Sequence, residues 1–219
     1  MLNKKYQSVQ NAIASYDYYD IAEGTGTKIF YGYVTSGASA ISYGLTGDSS
    51  IYSNQIDLFN SGSLFGIINV NFDLPAFNLP KTIGGTGLIN GVMQVLPFVG
   101  SLCSGSFMVY VNKISSGVTT TLVSGTTQLL TKNGGGGLND FIVLPLTIPQ
   151  TSFKRGDVLR LNMSGANYKD AGAGGPSGVG IALGSDPMNR DGIYIKPSSD
   201  TNPQTTTRLK FHCPFVLDL

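Results

Sequence analysis

Charge is what this chain has least of. Asp, Glu, Lys and Arg make up 12% of its 219 residues, about half of the ~25% usual in a globular domain. Lys and Arg number 14 against 13 Asp and Glu, for a net charge of +1. Nothing global therefore draws the chain to nucleic acid or to an anionic membrane surface, and neither is expected as a partner. No apolar run reaches the ~18 residues of a membrane span. The start, Met1-Leu-Asn-Lys-Lys-Tyr-Gln7, is basic but has no apolar stretch after it, so no secretory signal is expected. Tryptophan is absent, and the cysteines are two, Cys103 and Cys213. Two are too few for a disulfide framework and lack metal-site spacing. Both are expected as buried thiols in strands, since a bridge between them needs a geometry that sequence alone does not show.

Chemistry is the second shortage. His212 is the one histidine, and no G-x-S-x-G motif is present. Gly84-Gly-Thr-Gly87 and Gly172-Ala-Gly174 are glycine-rich, but neither continues as a dinucleotide fingerprint or opens a helical pattern, and no GK[ST] occurs. The acidic residues show no pair singled out by context. In Ser185-Asp-Pro-Met-Asn-Arg-Asp-Gly192, the side chains of Asp186, Asn189 and Asp191 offer oxygen to a cation such as Ca²⁺. The spacing departs from the EF-hand loop and Met188 stands where oxygen is needed, so the segment is expected to be a turn leading into a strand at 193–195. Asn162-Met-Ser164 is a formal glycosylation sequon inside an expected strand. These absences set the expectations: no enzyme, no catalytic residue, no metal and no cofactor.

What the chain does have is a rhythm of short alternating stretches punctuated by turn residues, with 29 glycines and 10 prolines. The clearest case is the C-terminus. There Leu209, Phe211, Cys213 and Phe215 share one phase, and Arg208, Lys210 and His212 the other. A period of two is what a strand with one buried face requires. Further strands are expected at 28–35, 40–44, 66–74, 86–96, 106–114, 119–124, 128–131, 141–148, 158–164, 179–183 and 206–217. Met108, Tyr110 and Asn112 form a face only half polar, which suggests that their strand is covered on both sides. Ser115-Ser-Gly117 reads as a hairpin turn. Residues 133–137 and 167–177 read as flexible loops rich in small residues. Many strands with regular turn signals imply a sandwich or barrel. The fold class expected is all-β, an antiparallel, jelly-roll-like β-sandwich over residues 25–219, preceded by an N-terminal arm, residues 1–24, that carries the acidic and aromatic Tyr16-Asp-Tyr-Tyr-Asp20.

Three segments resemble a known group. They are Leu146-Thr-Ile-Pro-Gln-Thr-Ser-Phe-Lys-Arg-Gly-Asp-Val-Leu-Arg-Leu161, the ending Leu209-Lys-Phe-His-Cys-Pro-Phe-Val-Leu-Asp-Leu219 with the loop Gly184-Ser-Asp-Pro-Met-Asn-Arg-Asp191 before it, and Tyr18-Tyr-Asp-Ile-Ala-Glu-Gly-Thr-Gly26. Together they resemble jelly-roll structural proteins of tailed bacteriophages and uncultured marine viruses, of the capsid-decoration or fibre-head type. The strand–KxGD–strand element is also similar to the trimeric jelly rolls of the C1q and tumour-necrosis-factor type. The resemblance implies a virion location and a homotrimer or symmetric lattice, and it supplies no catalytic residues.

The expectation that follows is a structural component of a virus particle, a capsid decoration or cement protein whose partners are the major capsid protein and sister copies. The alternative is a receptor-binding head of a tail fibre or spike, whose partner is a host-surface glycan and whose 11 tyrosines supply stacking faces. A low-charge surface repels itself poorly, which suits a protein covered by neighbours.

Overall fold

The computed structural model describes residues 25–36, 41–55, 57–62, 65–97, 102–133, 137–169, 179–190 and 207–216. The arm expected at 1–24, the glycine tip at 134–136, residues 170–177 of the second flexible loop and the strand expected at 193–195 lie outside the described residues. Within them the chain is all-β: β1 (Thr25–Ser36), β2 (Ile41–Thr46), β3 (Asp57–Gly62), β4 (Phe65–Asp73), β5 (Lys81–Pro97), β6 (Leu102–Ser115), β7 (Val118–Thr126), β8 (Leu130–Asn133), β9 (Leu138–Phe153), β10 (Val158–Lys169), β11 (Val179–Gly184) and β12 (Lys210–Val216).

The pairing is nested. β1 pairs with β12, β4 with β10, β5 with β9 and β6 with β7, all antiparallel. Outer strands close around inner ones, which is the connectivity of a jelly roll. One layer runs β9-β5-β12-β1-β2, with β11 and β3 continuing beside the far part of β5. The other runs β4-β10-β6, with β7 and β8 end to end along β6. A single parallel bridge, Gly44 to Asp73, joins the two layers.

Alternation decides which side chains face inward. Phe30, Ile83, Ile89, Ile142, Leu209 and Phe211 come from the first layer, and Phe72, Phe107, Val109, Leu159, Leu161 and Met163 from the second, all in one buried core. Each such side chain removed from water contributes about 1.5–3 kcal/mol. The layers touch directly: a Cβ added at Gly32 of β1 would stand 3.2 Å from Phe72 of β4. The expected C-terminal phase holds, with Leu209, Phe211 and Cys213 fully buried and Phe215 set edge-on to Phe30 at 6.2 Å.

The structure differs from the sequence expectation at several places, among them residues 167–169, which extend β10 into the expected loop. β3 forms where no strand was expected, because Asn60, Ser61 and Gly62 read as turn residues until β11 offers them a ladder. β5 begins at Lys81 rather than 86, running through the glycine-rich stretch with a register irregularity between Ile83 and Gly85. The β6 face of Met108 and Tyr110 is not covered on both sides, since Met108 is 43% exposed.

The Lys154-Arg-Gly-Asp157 corner forms as expected between β9 and β10. Gly156 takes a φ of 90°, which a side chain would strain. Phe153 is tucked under the corner against Phe77, ring centroids 5.2 Å apart. Asp157 Oδ2 accepts the Lys154 backbone N–H at 2.8 Å and lies 3.0 Å from Lys113 Nζ. The Lys154 amide first, then the Ser115 side chain, hold the Asp157 carboxyl down to about 2. A carboxyl held low when folded and at about 3.8 when unfolded stabilises the fold above pH ~4, and that contribution is lost as pH falls through ~2. Asp157→Asn should therefore flatten the acid limb of stability between pH ~4 and ~2, measured by urea titration at each pH. An unchanged acid limb would show that this carboxyl plays no part in it.

Candidate functional site

The loop singled out for oxygen ligands is built as an ion pair. Asp186 is fully buried. Arg190 grips it with three bonds: its backbone N–H donates to Oδ2 at 2.7 Å, Nε to Oδ2 at 3.0 Å and the second guanidinium nitrogen to Oδ1 at 3.1 Å. The guanidinium also lies 4.2 Å from the centre of the Tyr52 ring. Asn189, at a φ of 54°, turns its Oδ1 to accept the Thr207 N–H at 2.9 Å. Asp191 lies outside the described residues. The two oxygen-bearing residues that are described thus tie the loop to the start of the last strand. Among the described residues, no group of three or more His, Cys, Asp or Glu side chains is placed to hold a metal ion. Next to this loop, Ser185 Oγ is buried with no hydrogen-bond partner.

His212 and Lys210 lie on the outward face of the first layer. The register sets His212 between Ile29 and Leu88, and Lys210 between Tyr31 and Asn90. Asn90 Nδ2 stands 3.3 Å from His212 Nε2, so that nitrogen accepts and the imidazole is neutral in this pairing. Burial, then the charge of Lys210, lowers the histidine's pKa. Leu88 and Asn90 continue the same rows to Pro145 and Val143 on β9. Val143 is 62% and Phe141 50% exposed. The outcome is a sheet face with a half-buried polar centre and an apolar margin on β9. Outside β5, β9 pairs with no further strand among the described residues. Pro145 and Pro149 remove N–H donors from it, and strand prolines are confined to such edges.

The outward face of the second layer is different in kind. Neighbouring positions across its strands read Asp73, Arg160, Asn112, Thr121 in one row and Asn71, Asn162, Tyr110, Ser124 in the next. Arg160 forms a two-pronged pair with Asp73 at 2.6 and 2.7 Å, which cancels the charge of both. Asn162 Nδ2 donates to Asn71 Oδ1 at 2.8 Å and Asn69 Oδ1 at 2.9 Å. The face is a neutral amide ladder with a phenol beside it. Sequence reasoning passed over it, although Asn69, Asn71 and Asp73 alternate with Ile68, Val70 and Phe72. That alternation placed the polar set outward, but only the register shows that the amides of two strands meet.

Cys103 on β6 and Cys213 on β12 are both buried and in thiol form. Burial pushes the Cys213 thiol far above its ordinary value, so almost no thiolate is available to react. The native protein should leave both thiols unlabelled by a disulfide-exchange reagent over hours and expose both on denaturation. Rapid labelling of the native protein would contradict the buried placement.

No family model matches this chain, and no curated protein matches it. Similar solved structures include an α-amino acid ester hydrolase labelled with selenomethionine, at 9% identity and a TM-score of 0.49, covering 84% of this chain and 36% of that one. They also include an aminopeptidase from a marine sediment Thaumarchaeota archaeon, at 7% identity and a TM-score of 0.47, covering 86% and 37%. An infectious bursal disease virus structure, Gx strain, matches at 9% identity and a TM-score of 0.28, covering 83% and 41%. The chain thus spans little more than a third of the length of the two hydrolases. One expectation is corrected by this comparison. Hydrolases stand among the solved structures similar to this chain, against the expectation of no enzyme.

Proposed function

We propose that this chain is a structural component of a virus particle, a decoration or cement protein that binds a capsid and sister copies as a homotrimer. The observation that carries the reading is the outward face of the first layer, where Phe141 and Val143 are exposed beside the half-buried Lys210, His212 and Asn90. An apolar margin on a sheet edge whose prolines discourage strand pairing suits side-chain packing against a neighbour more than sheet extension. Jelly rolls build viral capsid and lectin domains, which supports the reading by analogy of fold alone. Phe141→Asp with Val143→Asp should lower the assembly state in sedimentation velocity while leaving the β-sheet spectrum unchanged. An unaltered assembly in the double variant would remove this face from the interface.

A second reading, a glycan-binding head, is favoured by the amide ladder of Asn69, Asn71 and Asn162 with Tyr110. Neutral donors and acceptors beside an aromatic face suit sugar hydroxyls. A glycan array probed with the intact chain separates the two: binding that disappears in Asn71→Ala with Tyr110→Ala supports the head, and a blank array leaves the adhesive reading.

A further inference from the structure

The outward face of the second layer fixes which way its amides point. Asn162 Nδ2 faces β4, where it stands 2.9 Å from Asn69 Oδ1, 2.8 Å from Asn71 Oδ1 and 3.2 Å from the Val70 carbonyl. A side-chain amide is planar, with its oxygen and nitrogen on separate arms, so Asn162 Oδ1 is turned away from β4. Asn69 and Asn71, both exposed, commit their oxygens to this contact. Among the described residues no hydrogen bond uses Asn162 Oδ1 or the Nδ2 groups of Asn69 and Asn71. Two donor groups on β4, on residues about 7 Å apart along the strand, therefore stand beside one acceptor on β10. An apolar shelf follows on β6. Tyr110 pairs with Asn162 and Met108 with Ser164. The Tyr110 hydroxyl donates to Met108 Sδ, which lays the phenol along the exposed thioether. Arg160 and Asp73 are the charged residues described in these rows, and they pair with each other.

Across β4, β10 and β6 the order is donor, acceptor, apolar shelf, each ~4.8 Å from the next. A trans acetamido group has the complementary order. Its amide is planar, with the N–H and the methyl on one side and the carbonyl oxygen on the other. We propose, resting on the glycan-binding reading of this face, that it selects sugars carrying a 2-acetamido group. The acetamido N–H donates to Asn162 Oδ1, and its methyl rests on Met108 and Tyr110 beyond. Its carbonyl points back to β4 and accepts from Nδ2 of Asn69 or Asn71. A sugar without the acetyl group fits less well. Its free amine is an ammonium, for which these rows hold no unpaired carboxylate, and a plain hydroxyl has no methyl for the shelf. An acidic sugar gains nothing either, since the guanidinium of Arg160 is already taken.

The test is titration of the full ¹⁵N-labelled chain, read by NMR, with tetrasaccharides of one linkage built of N-acetylglucosamine, of glucosamine or of glucose. The N-acetylglucosamine form should bind at least ~tenfold more tightly than the other two, the discrimination that a single apolar group gives. It should also shift the side-chain amide signals of Asn69, Asn71 and Asn162. Met108→Glu, a change at an exposed position, should abolish the preference and leave the rest of the spectrum in place. Equal binding of all three overturns the acetamido assignment and leaves the broader glycan reading standing. Binding that spares these three amides and survives Met108→Glu lies elsewhere and overturns it too. No binding by any of the three also overturns it, and a blank glycan array alongside removes the broader reading with it.

Discussion

Phe107→Ala is expected to cost about 3–5 kcal/mol of folding stability, the range for removing a fully buried aromatic ring. Phe107 sits on β6 with no exposed surface, inside the second layer and opposite Gly165 of β10. Its ring lies across that glycine. A Cβ added at Gly165 would stand 2.3 Å from the ring, closer than any real contact allows. The glycine therefore has no side chain for a packing reason, and the ring fills the room it leaves. Gly165→Ala in the native background should also destabilise, by about 1–3 kcal/mol, because the ring must leave its place. The two changes are expected to couple. With the ring gone, the methyl of Gly165→Ala enters the vacated space, and the double variant should lie above the sum of the singles by more than ~0.5 kcal/mol. Urea denaturation of the four proteins reads this directly, and strict additivity would show that ring and glycine do not share a space.

Arg190→Ala is expected to cost about 3–5 kcal/mol, the penalty for leaving a buried charge without its partner. The asymmetry of the pair makes this the harsher half of the comparison. Asp186 has no exposed side-chain surface, whereas Arg190 keeps 29% of its own. Removing the arginine strands a carboxylate in the interior. Asp186→Asn keeps an oxygen that can still accept from the Arg190 amide, and it leaves a cation that reaches water. The order of stabilities should be native, then Asp186→Asn, then Arg190→Ala. The reverse order in urea melts would show that the loop's anchoring rests elsewhere, for instance on Thr207, whose carbonyl accepts the Asp186 N–H at 2.8 Å.

These two sites mark what could and could not be read from the sequence. The Phe107 row was legible, because Phe107, Val109 and Val111 alternate with outward positions and alternation alone sets the buried face. So were the last strand and the Lys-Arg-Gly-Asp corner, where local chemistry and tertiary position agree. The bonds of the Asp186 loop were not. The carboxylate's partner is four residues on but not in a helix, and the guanidinium also reaches the carbonyl of Ser53. Only the closed fold brings those two chain stretches together. β3 escaped for a similar reason, since its strand character comes from β11 beside it and not from its own residues. The amide ladder lay between these cases: alternation sets each amide's direction, but only the strand register sets its neighbour.

The proposed role rests on the outward face of the first layer, with Phe141 and Val143 exposed, being covered in an assembly. The most direct test is the mass of the purified chain in solution, read by sedimentation across a hundredfold range of concentration, together with its presence in purified virus particles. The account predicts a homotrimer in solution and the same chain in the particle fraction. A 23.1-kDa monomer at every concentration, absent from particles, would contradict it.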